Sequence, residues 1–233
     1  MLARGLVERR ADLDVVAFDL TGHGASPPLP SDADTVSLAT DVLAGARTLG
    51  LTPPLSLVGH SLGGLVALRA AALEPAAIRS VILLDITPGS AGRGDGVVAV
   101  LEAVLRAPDT FASRAEAKST LTTAGLAPAL ADWLLLNLET AGGQVRWRVD
   151  RRALAALHAR IAGDDLWPVV EGPRPWTLRC VRGGASPYVS EADVRRLEAA
   201  GCPVTTIEGA GHFLHAERPS EVVDAVVAAL ADV

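Results

Sequence analysis

Three features that would each place this sequence in a particular class of protein are scarce or missing. The 233 residues include two cysteines, Cys180 and Cys202, too few for a disulfide framework, so we expect buried, reduced thiols. Acidic residues outnumber basic ones by 27 to 21, giving a net charge of −6, whereas a nucleic-acid-binding protein needs a basic face. No apolar run has the length of a signal-peptide core at the N-terminus or of a membrane span elsewhere. These absences predict a cytoplasmic protein that binds neither nucleic acid nor membrane.

Short apolar segments alternate with helical ones over most of the sequence. Hydrophobic residues make up 49% of the chain, which suits one globular domain. Five short segments rich in apolar residues are predicted as buried strands: Asp14–Leu20, Leu55–Val58, Arg79–Leu84, Trp176–Val181 and Pro203–Ile207. Because helical spacing of apolar residues lies between them, the order predicts an α/β fold with a mostly parallel sheet flanked by helices.

The middle of the sequence departs from that alternation. Between residues 89 and 172 the pattern predicts helices and no convincing strand; the helices are Val97–Leu105, Ala115–Ala124, Pro128–Glu139 and Ala153–Ile161. We therefore expect a helical cap insertion at 89–172, carried by a core made of residues 1–88 and 173–233.

One stretch combines a strand, a tight turn and a helix around a serine. Residues 59–63 read Gly-His-Ser-Leu-Gly and fit G-x-S-x-G, between the strand ending at Val58 and an apolar helix over Gly64–Leu73. In that context Ser61 is the predicted nucleophile, and glycines at 59 and 63 are expected to avoid Cβ collisions in the turn. The amide of Leu62, at the start of the helix, is the predicted oxyanion donor.

A serine hydroxyl needs a neighbouring base, and five histidines are available. His212 follows the last predicted strand in a glycine-flanked loop, at the sheet edge where Ser61 also falls, so it is the preferred base. His215 is the competitor, with packing as its alternative role. The other three are less suited: His60 adjoins the serine, His23 lies in an early loop and His158 lies on a predicted cap helix.

A carboxylate is expected to hold the imidazole of the base. Asp85 ends the strand that follows the elbow helix, which one crossover places beside the Leu55–Val58 strand, so Asp85 is the preferred acid. Asp95, in the glycine-rich loop further on, is the alternative acid, and Glu191 and Asp193 remain open.

These motifs together resemble the α/β-hydrolase superfamily, in its small esterase and lactonase-like branch. The matching residues are Asp19-Leu20-Thr21-Gly22-His23-Gly24-Ala25-Ser26, Gly59 to Gly64, Asp85-Ile86-Thr87-Pro88, Arg182-Gly183-Gly184-Ala185-Ser186-Pro187 and Gly209-Ala210-Gly211-His212. The resemblance implies Ser61 as nucleophile and His212 as base.

The sequence departs from the family pattern at two positions. Most members carry the acid in the turn after the penultimate strand, where this chain has Ser186 and Pro187. The R-G-G-x-S-P turn instead resembles enzymes whose acid ends the strand after the elbow helix, which again indicates Asp85. The family also favours arginine at position 21, where this chain has Thr21.

A third departure concerns the N-terminal strands. The resemblance implies further strands and an H-G loop ahead of Asp14–Leu20, and that loop supplies the second oxyanion donor. The sequence lacks them, so we expect either a gap in the sheet or direct pairing of Asp14–Leu20 with Leu55–Val58. The sequence is then either an incomplete version of a longer protein or a shortened one, and an open sheet edge would favour a homodimer. The Gly22–Gly24 loop is a candidate source of the missing donor.

The leading prediction is a serine hydrolase of carboxylic esters or lactones that works through an acyl-enzyme and needs no metal or organic cofactor. Serine at the elbow, rather than aspartate, argues against haloalkane and epoxide hydrolysis, whereas C–C bond hydrolysis and perhydrolysis stay open. The alternative is a non-catalytic ligand-binding or interaction protein on a hydrolase scaffold.

Overall fold

The computed structural model describes residues 2–89 and 95–231, and of residues 95–97 it describes only the backbone. In chain order the elements are α1 (Leu2–Arg9), α2 (Thr35–Thr48), β1 (Leu55–His60), α3 (Leu62–Leu73), β2 (Ile78–Leu84), α4 (Asp95–Arg106), β3 (Thr110–Phe111), α5 (Arg114–Thr123), α6 (Pro128–Leu134), β4 (Leu138–Ala141), β5 (Gln144–Trp147), α7 (Arg151–Ile161), α8 (Trp167–Glu171), β6 (Thr177–Gly183), α9 (Glu191–Ala199), β7 (Val204–Ile207), α10 (Leu214–Glu217) and α11 (Pro219–Ala231).

The described residues form two compact units. The first combines residues 2–18, 35–89 and 163–231, and the second combines residues 19–34 and 95–162. The predicted division into a core and a cap at residues 89–172 stays a prediction.

The first unit contains a sheet of four parallel strands in the order β1-β2-β6-β7. The register aligns the carboxyl ends of β1 and β2, because His60 is opposite Leu84. The residues after these two strands, Ser61 and Asp85, therefore leave neighbouring strands at the same edge. Parallel sheets require crossovers, and the helices between these strands provide them. The predicted α/β fold is confirmed.

Helices cover both faces of this sheet. Side chains alternate along a strand, so Ile82 and Leu84 of β2 face one way and Leu83 faces the other. Ile82 and Leu84 belong to a buried cluster with residues of α1 and α11, whereas Leu83 lies next to Gly64 of α3. Burial on both faces explains why β2 is almost continuously apolar.

The segment Asp14–Leu20 is not a strand, so that prediction is wrong. It has no regular secondary structure, and Val16 and Phe18 are 41% and 36% exposed. A strand needs a neighbour to accept and donate its backbone hydrogen bonds. In the described part of the chain β1 pairs with β2 alone, so Asp14–Leu20 and β1 do not pair directly. The predicted homodimer stays a prediction.

The second unit is helical with a small antiparallel sheet, which corrects the expectation of no strand between 89 and 172. Its strands are ordered β3-β5-β4 and number two to four residues each. The predicted helix Pro128–Glu139 ends at Leu134, and β4 begins at Leu138. A buried apolar cluster that includes Phe111, Leu121 and Val145 joins this sheet to the helices around it.

Candidate active site

Ser61 occupies the turn between β1 and α3 in a left-handed conformation. Its φ is 50° and its ψ is −118°, a combination that costs an L-residue about 1–3 kcal/mol. Backbone bonds hold the turn: the amide of Ser61 donates to Leu84 O at 3.2 Å, and its carbonyl accepts from the Gly64 amide at 2.9 Å. Its hydroxyl does not cap the helix. The side chain of Ser61 is partly exposed and so remains accessible for chemistry.

The tight turn depends on Gly59 and does not depend on Gly63. A Cβ added at Gly59 would lie 2.2 Å from the carbonyl oxygen of Gly63, a backbone atom that cannot move aside. A Cβ added at Gly63 would meet nothing within 4 Å, so the expectation of a collision there is wrong. Gly64 is the second crowded position, because its added Cβ would lie 2.5 Å from Ile86 Cγ2.

The N-terminus of α3 adjoins the serine and presents amides to it. The amides of Gly64 and Leu65 both donate to Ser61 O, at 2.9 and 3.3 Å. The amides of Leu62 and Gly63 precede them in the first turn, where a helix offers no internal acceptor. These two N–H groups, together with the positive end of the helix dipole, can stabilise a negative oxygen at this edge.

Asp85 is fully buried at the end of β2, and its carboxylate is bonded on both oxygens. Its φ of 50° is also left-handed, and its exposure is 0%. Oδ1 accepts from the Gly183 amide at 2.8 Å, and Oδ2 accepts from the hydroxyl of Ser186. Oδ2 also lies 2.8 Å from His212 Nδ1. Charge-assisted bonds of this kind are the strong ones, so they stabilise the buried negative charge.

His212 lies in the loop after β7, with its ring packed between other side chains. It is 8% exposed, and its ring stacks on Tyr188 with a centroid separation of 3.7 Å and an interplanar angle of 18°. The loop approaches the sheet closely at Gly183, where an added Cβ would lie 2.4 Å from Ala210 O. Because Asp85 engages Nδ1, Nε2 is the ring nitrogen left for proton transfer.

The structure therefore brings the predicted acid and base together at the edge that carries Ser61. Among the described contacts there is no hydrogen bond between Ser61 Oγ and His212. The residue before Ser61 does reach the His212 loop, since His60 Nε2 lies 2.8 Å from His212 O. Bonds between nucleophile and base are often long without substrate and tighten in the complex.

The alternative acids have other surroundings. Asp95 begins α4, and its side chain lies outside the described residues. Glu191 forms an ion pair with Arg182. Asp193 closes the capping box of α9, where its carboxylate accepts from the Ser190 amide at 2.9 Å.

The remaining histidines fall into two groups. His23 and His158 belong to the second unit, where Nδ1 of His23 lies 3.4 Å from Thr21 O and His158 is on α7. The Gly22–Gly24 loop is also in that unit. A hydrogen bond closes this loop, because the Ala25 amide donates to the carboxylate of Asp19 at 2.9 Å. His215 belongs to the first unit and lies against His60, with ring centroids 4.4 Å apart.

Sequence reasoning missed two side chains that contact Asp85 and His212, namely Ser186 and Tyr188. Ser186 bonds Asp85 and accepts from the Tyr188 amide at 3.2 Å, and Tyr188 covers one face of His212. The signal is present in the R-G-G-x-S-P turn, where the hydroxyl of Ser186 occupies a position at which most family members carry a carboxylate and here donates to one.

Two further observations concern the thiols and the metal-ligating side chains of the described residues. Cys180 and Cys202 are free and buried, and burial raises the pKa of Cys202 to about 12. No group of three or more His, Cys, Asp or Glu side chains in the described ranges could hold a metal ion.

Within those ranges no helix has the length and apolar character needed to cross a membrane.

A parallel sheet with a left-handed serine at a strand–helix elbow, and a histidine after the last strand, defines a class of protein. The chain belongs to the alpha/beta hydrolase family, whose profile matches residues 2–225. The structure agrees at the level of the fold. A solved E-2-(acetamidomethylene)succinate hydrolase superimposes with a TM-score of 0.79 at 27% identity, covering 95% of this chain and 85% of the other.

Curated relatives narrow the class. The chain is 29% identical to a mouse (Mus musculus) sn-1-specific diacylglycerol lipase, over 99% of this chain and 75% of the relative. It is 32% identical to the lipase LipV of Mycobacterium tuberculosis, over 93% and 83% of the two chains. It is 28% identical to the esterase YbfF of Escherichia coli, over 97% and 85%. These relatives are esterases and lipases, which supports a hydrolase that acts on esters.

Proposed function

We propose that the protein is a serine hydrolase of carboxylic esters, with lactones as a second substrate class, in which Ser61, His212 and Asp85 form a catalytic triad. The observation that carries the proposal is the 2.8 Å hydrogen bond between His212 Nδ1 and the buried carboxylate of Asp85, at the sheet edge that carries Ser61. The esterase and lipase relatives give independent support to the ester class.

The proposed first step is acylation. Ser61 Oγ attacks the ester carbonyl carbon while its proton moves to His212 Nε2, and the negative oxygen is stabilised by the Leu62 amide at the start of α3. The imidazolium that forms is stabilised by Asp85. When the tetrahedral intermediate collapses, the C–O bond to the alcohol breaks and the alcohol leaves with the proton from His212.

Deacylation repeats the same chemistry with water. His212 removes a proton from a water molecule, whose oxygen attacks the acyl carbon. The bond to Ser61 Oγ then breaks, the carboxylic acid leaves, and the proton returns to the serine. Each step uses only the three side chains and the helix amide, so the proposed mechanism requires no metal or organic cofactor.

The test is hydrolysis of p-nitrophenyl butyrate by the wild-type protein and by Ser61→Ala. We expect a loss of at least about 10³-fold in kcat, because the attacking atom is removed. Ser119→Ala is the matched control, since Ser119 is exposed on α5 in the second unit. Equal rates for wild type and Ser61→Ala would remove Ser61 from the mechanism. A folded wild type without turnover of any ester or lactone would favour the non-catalytic, ligand-binding alternative.

A further inference from the structure

His60 connects the nucleophile turn to the loop of the base. It is the last residue of β1 and directly precedes Ser61, yet its side chain reaches a residue 152 positions away. Its Nε2 lies 2.8 Å from the backbone oxygen of His212. A carbonyl oxygen only accepts hydrogen bonds, so Nε2 carries the proton and His60 is the donor.

Aromatic rings surround the imidazole of His60. Its ring centroid is 4.7 Å from that of His212, 4.4 Å from that of His215 and 5.7 Å from that of Phe213. All three neighbours belong to one short segment that begins at the base. The packing restricts the rotation of His60, and a restricted donor fixes its acceptor more firmly than a mobile one does.

His60 remains uncharged next to the base. Its pKa is well below the usual value for histidine, first because it is buried and then because of the nearby charges of His215 and His212. Burial likewise lowers the pKa of His215 to about 4. Around neutral pH the cluster therefore supplies a hydrogen-bond donor without placing a second cation beside the imidazolium that the reaction forms on His212.

We propose that His60 is a positioning residue, whose Nε2–H holds the backbone of His212 so that Nδ1 of the base meets Asp85. The inference rests on the proposed function, because positioning matters only if His212 is the base. No step of the proposed mechanism uses the side chain of His60 directly. It acts through the carbonyl to which it donates.

The first experiment compares three variants in ester hydrolysis. His60→Phe keeps a ring and removes the donor, and we expect kcat to fall roughly 10- to 100-fold with KM changed less than about 2-fold, since small displacements of a base are costly. His60→Gln keeps an N–H donor of similar reach and should recover most of the rate. His215→Phe keeps a ring against His60 and should lose less activity than His60→Phe.

The second readout does not depend on turnover. The Nδ1 proton shared by His212 and Asp85 is expected at low field in the ¹H NMR spectrum of the wild type and absent in Asp85→Asn. It should broaden or shift upfield in His60→Phe and return in His60→Gln. Should His60→Phe fail to fold in a thermal melt, His60→Asn replaces it, because its shorter amide does not span to the His212 carbonyl.

The outcomes separate the two proposals. An inactive wild type that still shows the low-field proton contradicts the proposed function and leaves the spectroscopic test of His60 in place. A folded His60→Phe that keeps both the wild-type kcat and an unchanged low-field proton overturns the positioning role. Equal losses in His60→Phe and His60→Gln would also overturn it, since the donor would then not be the property that matters.

Discussion

Ser61 and Asp85 have the same left-handed backbone conformation, but their side chains have opposite surroundings. Both come directly after a parallel strand, at the same edge of the sheet, and both have a φ of 50°. The serine hydroxyl is partly exposed and makes no cap bond to its helix, whereas the aspartate is 0% exposed and accepts bonds on both oxygens.

A strained turn does not by itself define a role, as these two residues demonstrate. At Ser61 the left-handed conformation leaves a side chain free to react, and at Asp85 it directs a carboxylate into a set of donors. The difference lies in the neighbouring elements. A helix N-terminus adjoins Ser61, while the end of β6 and the His212 loop close over Asp85.

Among the changes that alter the surroundings of Asp85, we expect Asp85→Asn to have the largest effect on kcat. The amide keeps the size of the side chain and loses the charge, so it no longer stabilises the imidazolium or selects the Nδ1–H tautomer of His212. We expect kcat for p-nitrophenyl butyrate to fall about 10³- to 10⁴-fold with little change in KM. A variant within 10-fold of wild type would show that the acid lies elsewhere, with Asp95 as the first residue to change.

The second prediction concerns the glycines on either side of Ser61. Gly59→Ala places a methyl 2.2 Å from a backbone oxygen, and we expect the free energy of unfolding to fall by roughly 1–3 kcal/mol or more, as for overpacked cores. Gly63→Ala meets open space within α3, so it should not destabilise the protein and can gain up to about 1 kcal/mol from the higher helix propensity of alanine. Urea denaturation of both variants measures the difference, and equal destabilisation would contradict the distinct roles of the two glycines.

A smaller effect is expected at Ser186. Ser186→Ala removes one donor to the Asp85 carboxylate and keeps the Gly183 amide and His212. Losing a hydrogen bond to a charged group costs about 1.5–3 kcal/mol, an upper limit here because two donors remain. We therefore expect a loss in kcat of about 10-fold, measured alongside Asp85→Asn. A loss in kcat as large as that of Asp85→Asn would contradict this prediction, because Ser186 would then contribute as much as Asp85.

The last prediction concerns stability in acid, where the His215 pKa sets the direction of the effect. His215 has a pKa lowered to about 4, mainly by burial, while the unfolded chain titrates near 6.5. Between these values the unfolded state binds more protons, so stability is full above pH 6.5 and falls as the pH is lowered toward 4. Thermal melts across this range should show a shallower fall for His215→Phe than for wild type. Parallel curves would contradict a contribution from His215.

Much of the geometry of the candidate site could be predicted because its residues lie directly after strands. Ser61 stands in a motif with a defined strand–turn–helix context, and Asp85 can be deduced from one crossover, which requires only that neighbouring strands be parallel. The role of Ser186 as a donor could not be anticipated, because which hydroxyl reaches a carboxylate depends on loop geometry that no local pattern encodes.

The errors in the fold have a similar cause. Asp14–Leu20 has the composition of a buried strand, but hydrogen-bonded neighbours decide whether such a segment forms one, and β1 does not pair with it. The strands β3 to β5 number only two to four residues, too short for any period to appear. Longer helices such as α4, α5 and α7 lie within about two residues of their predicted ends.

Phosphonylation by a fluorophosphonate, located by peptide mass spectrometry, tests the central proposal most directly because it reports the nucleophile without assuming a substrate. The proposed triad predicts stoichiometric labelling of the wild type on Ser61, no labelling of Ser61→Ala, and labelling slowed by orders of magnitude in Asp85→Asn. A folded wild-type protein that remains unlabelled, or that carries the label on another residue, would contradict it.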